Sequence, residues 1–137
     1  MCVEQQKETS RWLRYAHEDL LQALHIQQEE GFPRFICFFS QQAAEKALKS
    51  AYAWLNITIP RSHDLDYLLT NLPGTWSARN ISKSDLAQLS EWAVESRYPG
   101  DMPESTDDDA TQALLIAQTL FASINDDLVK AGFTAGK

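Results

Sequence analysis

The stretch FICFFSQQAAEKALKSAYAWL, residues 35–55, constrains the fold of this chain more than any other segment. Apolar and small residues recur in it every three or four positions, the spacing that places them on one face of an α-helix. Polar residues interrupt them at similar intervals, namely Gln42, Glu45, Lys46 and Lys49. The segment therefore predicts a long helix with a broad buried stripe and an adjoining polar strip.

Composition narrows the class of protein. The 137 residues, 44% of them hydrophobic, predict one domain, residues 1–137, with a substantial core. No apolar run is long enough to span a bilayer, and the first residues lack the apolar segment of a signal peptide. Cys2 and Cys37 are the only cysteines, which indicates a cytoplasmic protein without a disulfide framework. A net charge of −7 argues against a general binder of nucleic-acid backbones, but it leaves room for a local basic pocket.

Helical periodicity continues along the rest of the chain. It predicts helices over residues 10–30, 33–55, 62–72, 83–97 and 107–131, with the β-branched segment between the second and third read as a loop. Because Gly31 and Pro33 leave only a short joint, the first two helices should form an antiparallel hairpin. The pattern predicts an all-α, up-and-down helical bundle of four long helices and one short helix.

Turn and cap residues support these boundaries. The predicted stops are Gly31, Pro73–Gly74, Tyr98–Pro99–Gly100 and Gly132. The predicted N-caps are Ser10 for the first helix, Ser62 or Asp64 for the third, Ser82 or Ser84 for the fourth, and Thr106 for the fifth.

Several kinds of chemistry lack their usual sequence signals. None of the three histidines lies three residues after a glutamate, as a di-metal site in a helical bundle requires. The two cysteines lack zinc spacing, and the glycines form no phosphate-binding loop. The sequence therefore predicts neither a metal site nor a cofactor, and it assigns no catalytic residue.

Three features could converge on one nucleotide-binding site. Lys46 and Lys49 share a face of the second helix, His63 begins the third, and Arg97 with Tyr98 ends the fourth. Basic groups beside an aromatic ring can hold a phosphate and stack a base. Each residue also has a structural explanation, such as an i,i+4 ion pair between Glu45 and Lys49 or a helix cap at His63–Asp64.

The order and spacing of these residues resemble the HEPN domain family, whose helical-bundle proteins occur in bacteria and archaea. The resemblance covers nearly the whole chain. It is carried by Trp12, Ala16, Asp19, Leu20 and Ala23, then by Phe39, Gln41, Gln42, Ala43, Glu45, Lys46, Ala47, Leu48 and Lys49, and finally by His63–Asp64–Leu65 and Arg97–Tyr98–Pro99.

The resemblance implies a homodimer that associates with nucleotide or RNA, commonly as the partner of a nucleotidyltransferase in a toxin–antitoxin pair. Many relatives are metal-independent ribonucleases with an Arg followed, after four to six residues, by a His. With Arg97 as that arginine, the candidate positions hold Met102, Pro103 and Glu104. The spacing of Arg11 and His17 lies in the first helix, where the family does not keep its motif, and it is treated as chance.

Three functional hypotheses follow. The first is a homodimeric nucleotide-binding or accessory protein that acts with a nucleotidyltransferase. The second is a divergent ribonuclease with His63 as base and Arg97 as phosphate clamp, and the third is a structural dimer without a ligand. The dimer is also predicted from a surplus of aromatic surface, assigned to Phe32, Tyr52, Trp54, Trp76 and Trp92.

Overall fold

The structure, a computed structural model, describes residues 3–97 and 104–134, with side chains for residues 3–92 and 104–134. Within these residues there are five α-helices and no β-strand. The helices are α1 (Val3–Gln28), α2 (Pro33–Trp54), α3 (Leu65–Thr70), α4 (Lys83–Arg97) and α5 (Asp107–Lys130), with a 3₁₀ turn at Ser77–Asn80. The predicted all-α bundle of four long helices and one short helix is confirmed. None of the described helices has the length and apolar character needed to cross a membrane.

Helix α2 lies at the centre of the bundle. It packs against each of the other four helices, and 15 of its 22 residues are buried. Four fully buried alanines, Ala43, Ala44, Ala47 and Ala51, let the neighbouring helices approach its backbone closely. Because neighbours cover α2 on so many sides, much of its polar strip is buried with the apolar stripe.

The joint between α1 and α2 depends on a tight backbone turn. Glu30 adopts a left-handed conformation with φ of 56°, and the Gly31 N–H donates to the Ile26 carbonyl at 2.8 Å. A Cβ atom on Gly31 would lie 2.7 Å from the Ile26 Cγ2 atom. Position 31 therefore has no room for a side chain, which accounts for the glycine. The left-handed backbone conformation of the turn belongs to Glu30.

The predicted helix ends are partly right. Helix α4 has the predicted bounds, and α5 begins as predicted with Thr106 and Asp109 forming a reciprocal capping box. Asp64 caps α3, and the Ser82 hydroxyl accepts from the Asp85 N–H at the start of α4. Ser10 as the first N-cap is wrong, because α1 already begins at Val3.

Four of the five aromatic residues assigned to surplus surface belong to the core. Tyr52, Trp54, Trp76 and Trp92 are all less than 9% exposed, whereas Phe32 is 69% exposed. The four buried residues are members of the hydrophobic core cluster. Of these five, only Phe32 therefore offers aromatic surface to a dimer, and the dimer itself stays a prediction.

The segment that follows α2 brings His63 back alongside that helix. The Gln41 side chain donates to the His63 carbonyl at 3.0 Å, and the Tyr52 hydroxyl donates to the Leu68 carbonyl at 2.7 Å. These contacts, with that between His63 and Glu45, place His63 beside the middle of α2 and α3 beside its second half. A bond of 3.2 Å from the Leu65 N–H to the Ser90 hydroxyl then fixes the middle of α4 next to the start of α3.

Candidate functional site

Three polar residues spaced one helical turn apart on α2 form the centre of the candidate site. Gln41, Glu45 and Lys49 are 2%, 5% and 7% exposed. Together with His63 they make a connected set of hydrogen bonds, here called the polar cluster. Buried polar groups are costly unless they are paired, so this cluster needs all of its partners.

Glu45 is the hub of the polar cluster. Its Oε2 atom accepts from Lys49 Nζ at 3.0 Å, and its Oε1 atom accepts from Gln41 Nε2 at 3.2 Å and lies 3.0 Å from His63 Nδ1. Burial alone would raise the pKa of Glu45, but hydrogen bonds from Lys49, His63 and Gln41 outweigh it and leave the pKa below its usual value. The carboxylate is therefore ionised at neutral pH.

His63 is the member of the polar cluster that faces solvent, because its side chain is 68% exposed. An ionised carboxylate can only accept hydrogen bonds, so the contact with Glu45 places a proton on Nδ1. The shape of the ring then directs Nε2 away from Glu45. In the neutral imidazole Nε2 accepts a proton, and in the cation it donates one to an anion.

The two lysines predicted to act together are held in separate ion pairs. Lys46 Nζ lies 2.7 Å from Asp19 Oδ2 on α1, whereas Lys49 is paired with Glu45 within α2. The i,i+4 ion pair between Glu45 and Lys49, the structural alternative to ligand binding at Lys49, is therefore present. Each ammonium is thus neutralised by a carboxylate, and the positive charge available to a ligand is smaller than the lysine spacing suggests.

The remaining predicted site residues have no described side chains. Arg97 is the last residue of α4, and its side chain lies outside the described part of the structure; Tyr98 lies outside the described residues altogether. Their convergence with His63 stays a prediction. Among the residues that are described, no group of three or more His, Cys, Asp or Glu side chains could hold a metal ion.

Trp12 adjoins the polar cluster, a position that sequence spacing did not predict. The Lys49 ammonium lies 5.9 Å from the centre of the Trp12 ring, within the range of a cation–π contact. The indole N–H donates to Glu8 Oε1 at 3.3 Å. The packing of α1 against α2, which spacing along either helix does not show, brings Trp12 beside Lys49.

The fold has counterparts among known proteins. The model of the HEPN domain matches residues 9–126, which include every member of the polar cluster. The chain belongs to the HEPN family. The resemblance to this family, which covers nearly the whole chain, is thereby confirmed.

Two solved structures support the assignment of this HEPN protein. The crystal structure of TT1696 from Thermus thermophilus is 26% identical, with a TM-score of 0.76 over 88% of this chain and 98% of that one. ST0689, described as an archaeal HEPN homologue, is also 26% identical, with a TM-score of 0.69 over 88% and 97% of the two chains. No curated protein gives a significant match.

Proposed function

We propose that this HEPN protein is a nucleotide-binding or accessory protein and that it acts with a nucleotidyltransferase partner, for example within a toxin–antitoxin pair. The observation that carries the proposal is the exposed imidazole of His63, held by a buried and ionised Glu45. An imidazole oriented in this way offers Nε2 to a phosphate without the freedom of an ordinary surface side chain. Lys46, Lys49, Arg97 and Tyr98 complete the proposed site.

The direction of α4 supports the inclusion of Arg97 and Tyr98. Ser90 lies against Leu65, and seven further residues at a rise of about 1.5 Å each carry the helix about 10 Å onward to Arg97. Lys83 and Leu86, at the other end of α4, border Asp66 and Leu69 of α3. Helix α4 therefore runs from the level of Leu69 toward that of Leu65, which is the direction that the proposed approach of Arg97 to His63 requires.

Nucleotide binding is tested by thermal unfolding with ATP, GTP, CTP and UTP. A ligand at 100 times its dissociation constant stabilises the folded state by about 2.7 kcal/mol. We expect at least one nucleotide to raise the melting temperature, and His63→Ala to abolish the increase. His25→Ala is the matched control, because His25 is an exposed histidine on α1. The absence of any increase with the wild-type protein would contradict nucleotide binding.

The partner is tested separately. Co-expression with the product of an adjacent nucleotidyltransferase gene should yield a stable complex of the two proteins. A homodimer is proposed for the protein alone, and light scattering coupled to size exclusion gives its mass directly. A monomer mass at micromolar concentration would refute the dimer, and failure to co-purify would refute the partnership.

The geometry of Glu45 and His63 also favours the alternative of a divergent metal-independent ribonuclease. A carboxylate that holds one imidazole nitrogen and leaves the other free is the arrangement used to orient a general base. In this alternative His63 is the general base and Arg97 holds the phosphate. Cleavage of mixed RNA in the presence of EDTA, lost in both His63→Ala and Arg97→Ala, would establish the activity, and unchanged RNA would exclude it.

A further inference from the structure

The four tryptophans of this chain occupy two different environments. Trp54, Trp76 and Trp92 belong to the buried core cluster, whereas Trp12 is partly exposed and is not a member of it. Trp12 instead lies beside Lys49, at the edge of the polar cluster. Its ring therefore adds little to the packing of the core, although it is the largest side chain available.

The position of the Trp12 ring is fixed from two directions. Its N–H donates to Glu8 one turn earlier on α1, and the Lys49 ammonium lies 5.9 Å from the ring centre. Lys49 is itself held by Glu45, whose carboxylate also binds His63. A continuous set of contacts thus runs from the indole through Lys49 and Glu45 to the exposed imidazole.

We infer that Trp12 is a stacking surface for the base of the bound nucleotide, while His63 contacts its phosphate. This inference rests on the proposed nucleotide binding and deepens it. Three contacts join the indole to the imidazole: 5.9 Å from the ring centre to the Lys49 ammonium, 3.0 Å from there to Glu45 Oε2, and 3.1 Å from Oε2 to His63 Nδ1. These contacts keep the two rings close enough for one nucleotide to touch both. A fixed, partly exposed aromatic ring stacks bases of any sequence, so the ligand class is a nucleotide with an unpaired base.

The test compares AMP with ribose 5-phosphate, which has the phosphate and sugar but no base. Stacking on one aromatic side chain strengthens binding by about fivefold or more. Isothermal titration should therefore show AMP binding at least about fivefold more weakly to Trp12→Leu than to the wild-type protein, with ribose 5-phosphate binding unchanged. Trp12→Phe, which keeps an aromatic ring, should retain most of the AMP affinity, and it also serves as a second variant if Trp12→Leu folds poorly.

The outcomes separate this inference from the proposed function. If His63→Ala weakens the binding of both ligands while Trp12→Leu weakens the binding of AMP alone, the stacking role and the proposed function are both supported. If the wild-type protein binds AMP no more tightly than ribose 5-phosphate, or if Trp12→Leu leaves AMP binding unchanged, the stacking role is overturned while nucleotide or phosphate binding stands. If the wild-type protein binds neither ligand, the stacking role is overturned, and nucleotide binding is overturned with it if none of the four nucleoside triphosphates raises the melting temperature.

Discussion

Removal of the Glu45 carboxylate provides the strongest test of how the polar cluster is held together. Glu45→Ala leaves the Lys49 ammonium without its partner, and the Lys49 side chain is only 9% exposed. Removing one partner of a buried ion pair typically costs about 3–5 kcal/mol. His63 is largely exposed and regains water, so it adds little to this cost. We expect a loss near the lower end, about 3 kcal/mol in the free energy of unfolding.

Urea denaturation followed by circular dichroism measures this loss, which corresponds to a decrease of about 10 °C in melting temperature for a chain of this size. Glu18→Ala is the matched control, since the Arg14–Glu18 pair has the same i,i+4 spacing but both side chains are more than half exposed. That variant should lose at most about 0.5 kcal/mol. The double variant Glu45→Leu with Lys49→Met should recover most of the lost stability, because replacing both partners leaves no unpaired buried charge.

The reasoning would be refuted if Glu45→Ala and Glu18→Ala had the same stability within about 0.5 kcal/mol. Such a result would mean that Lys49 finds water in place of Glu45. The polar cluster would then be an ordinary surface feature.

Three further predictions concern the acid sensitivity of Glu45, the packing of the core and the N-cap of α5. Folding lowers the pKa of Glu45, so its stabilising contribution is present above the unfolded value near 4.5 and is lost as pH falls through the folded pKa. In urea denaturation, the stability difference between wild type and Glu45→Gln should therefore shrink as pH falls below about 4.5. Leu48→Ala should cost about 2–5 kcal/mol in urea denaturation because Leu48 is fully buried, and a smaller loss would mean that the surrounding helices collapse into the space. Thr106→Ala should cost about 1 kcal/mol through loss of the α5 cap, with Thr106→Ser close to wild type, and equal losses in both variants would contradict a role for the hydroxyl.

Much of the fold could be predicted from periodicity. The start of α1 could not, and the reason is physical. The first seven residues of α1 are mostly polar, with Thr9 the first buried side chain, so they show no apolar face. They are rich in glutamine, glutamate and lysine, which favour helix by intrinsic propensity. A prediction based on propensity as well as periodicity would have extended the helix toward Val3.

The candidate site was harder to predict from the sequence, because its contacts join segments that are far apart along the chain. The spacing of Glu45 and Lys49 is visible along the chain, but the contact between Glu45 and His63 depends on the loop after α2 folding back along that helix. The pairing of Lys46 with Asp19 likewise depends on the packing of α1 against α2. Sequence spacing therefore identified the charged residues without showing which of them neutralise one another.

The central claim is that His63, positioned by Glu45, is the side chain that meets the ligand. The most direct measurement is a ¹H–¹⁵N spectrum of the imidazole rings during titration with a nucleotide that raises the melting temperature. The chain has three histidines, so each signal can be assigned by substitution. We predict that the His63 Nε2 signal moves with saturation while His17 and His25 stay in place. Movement of His17 or His25 without His63 would contradict the claim.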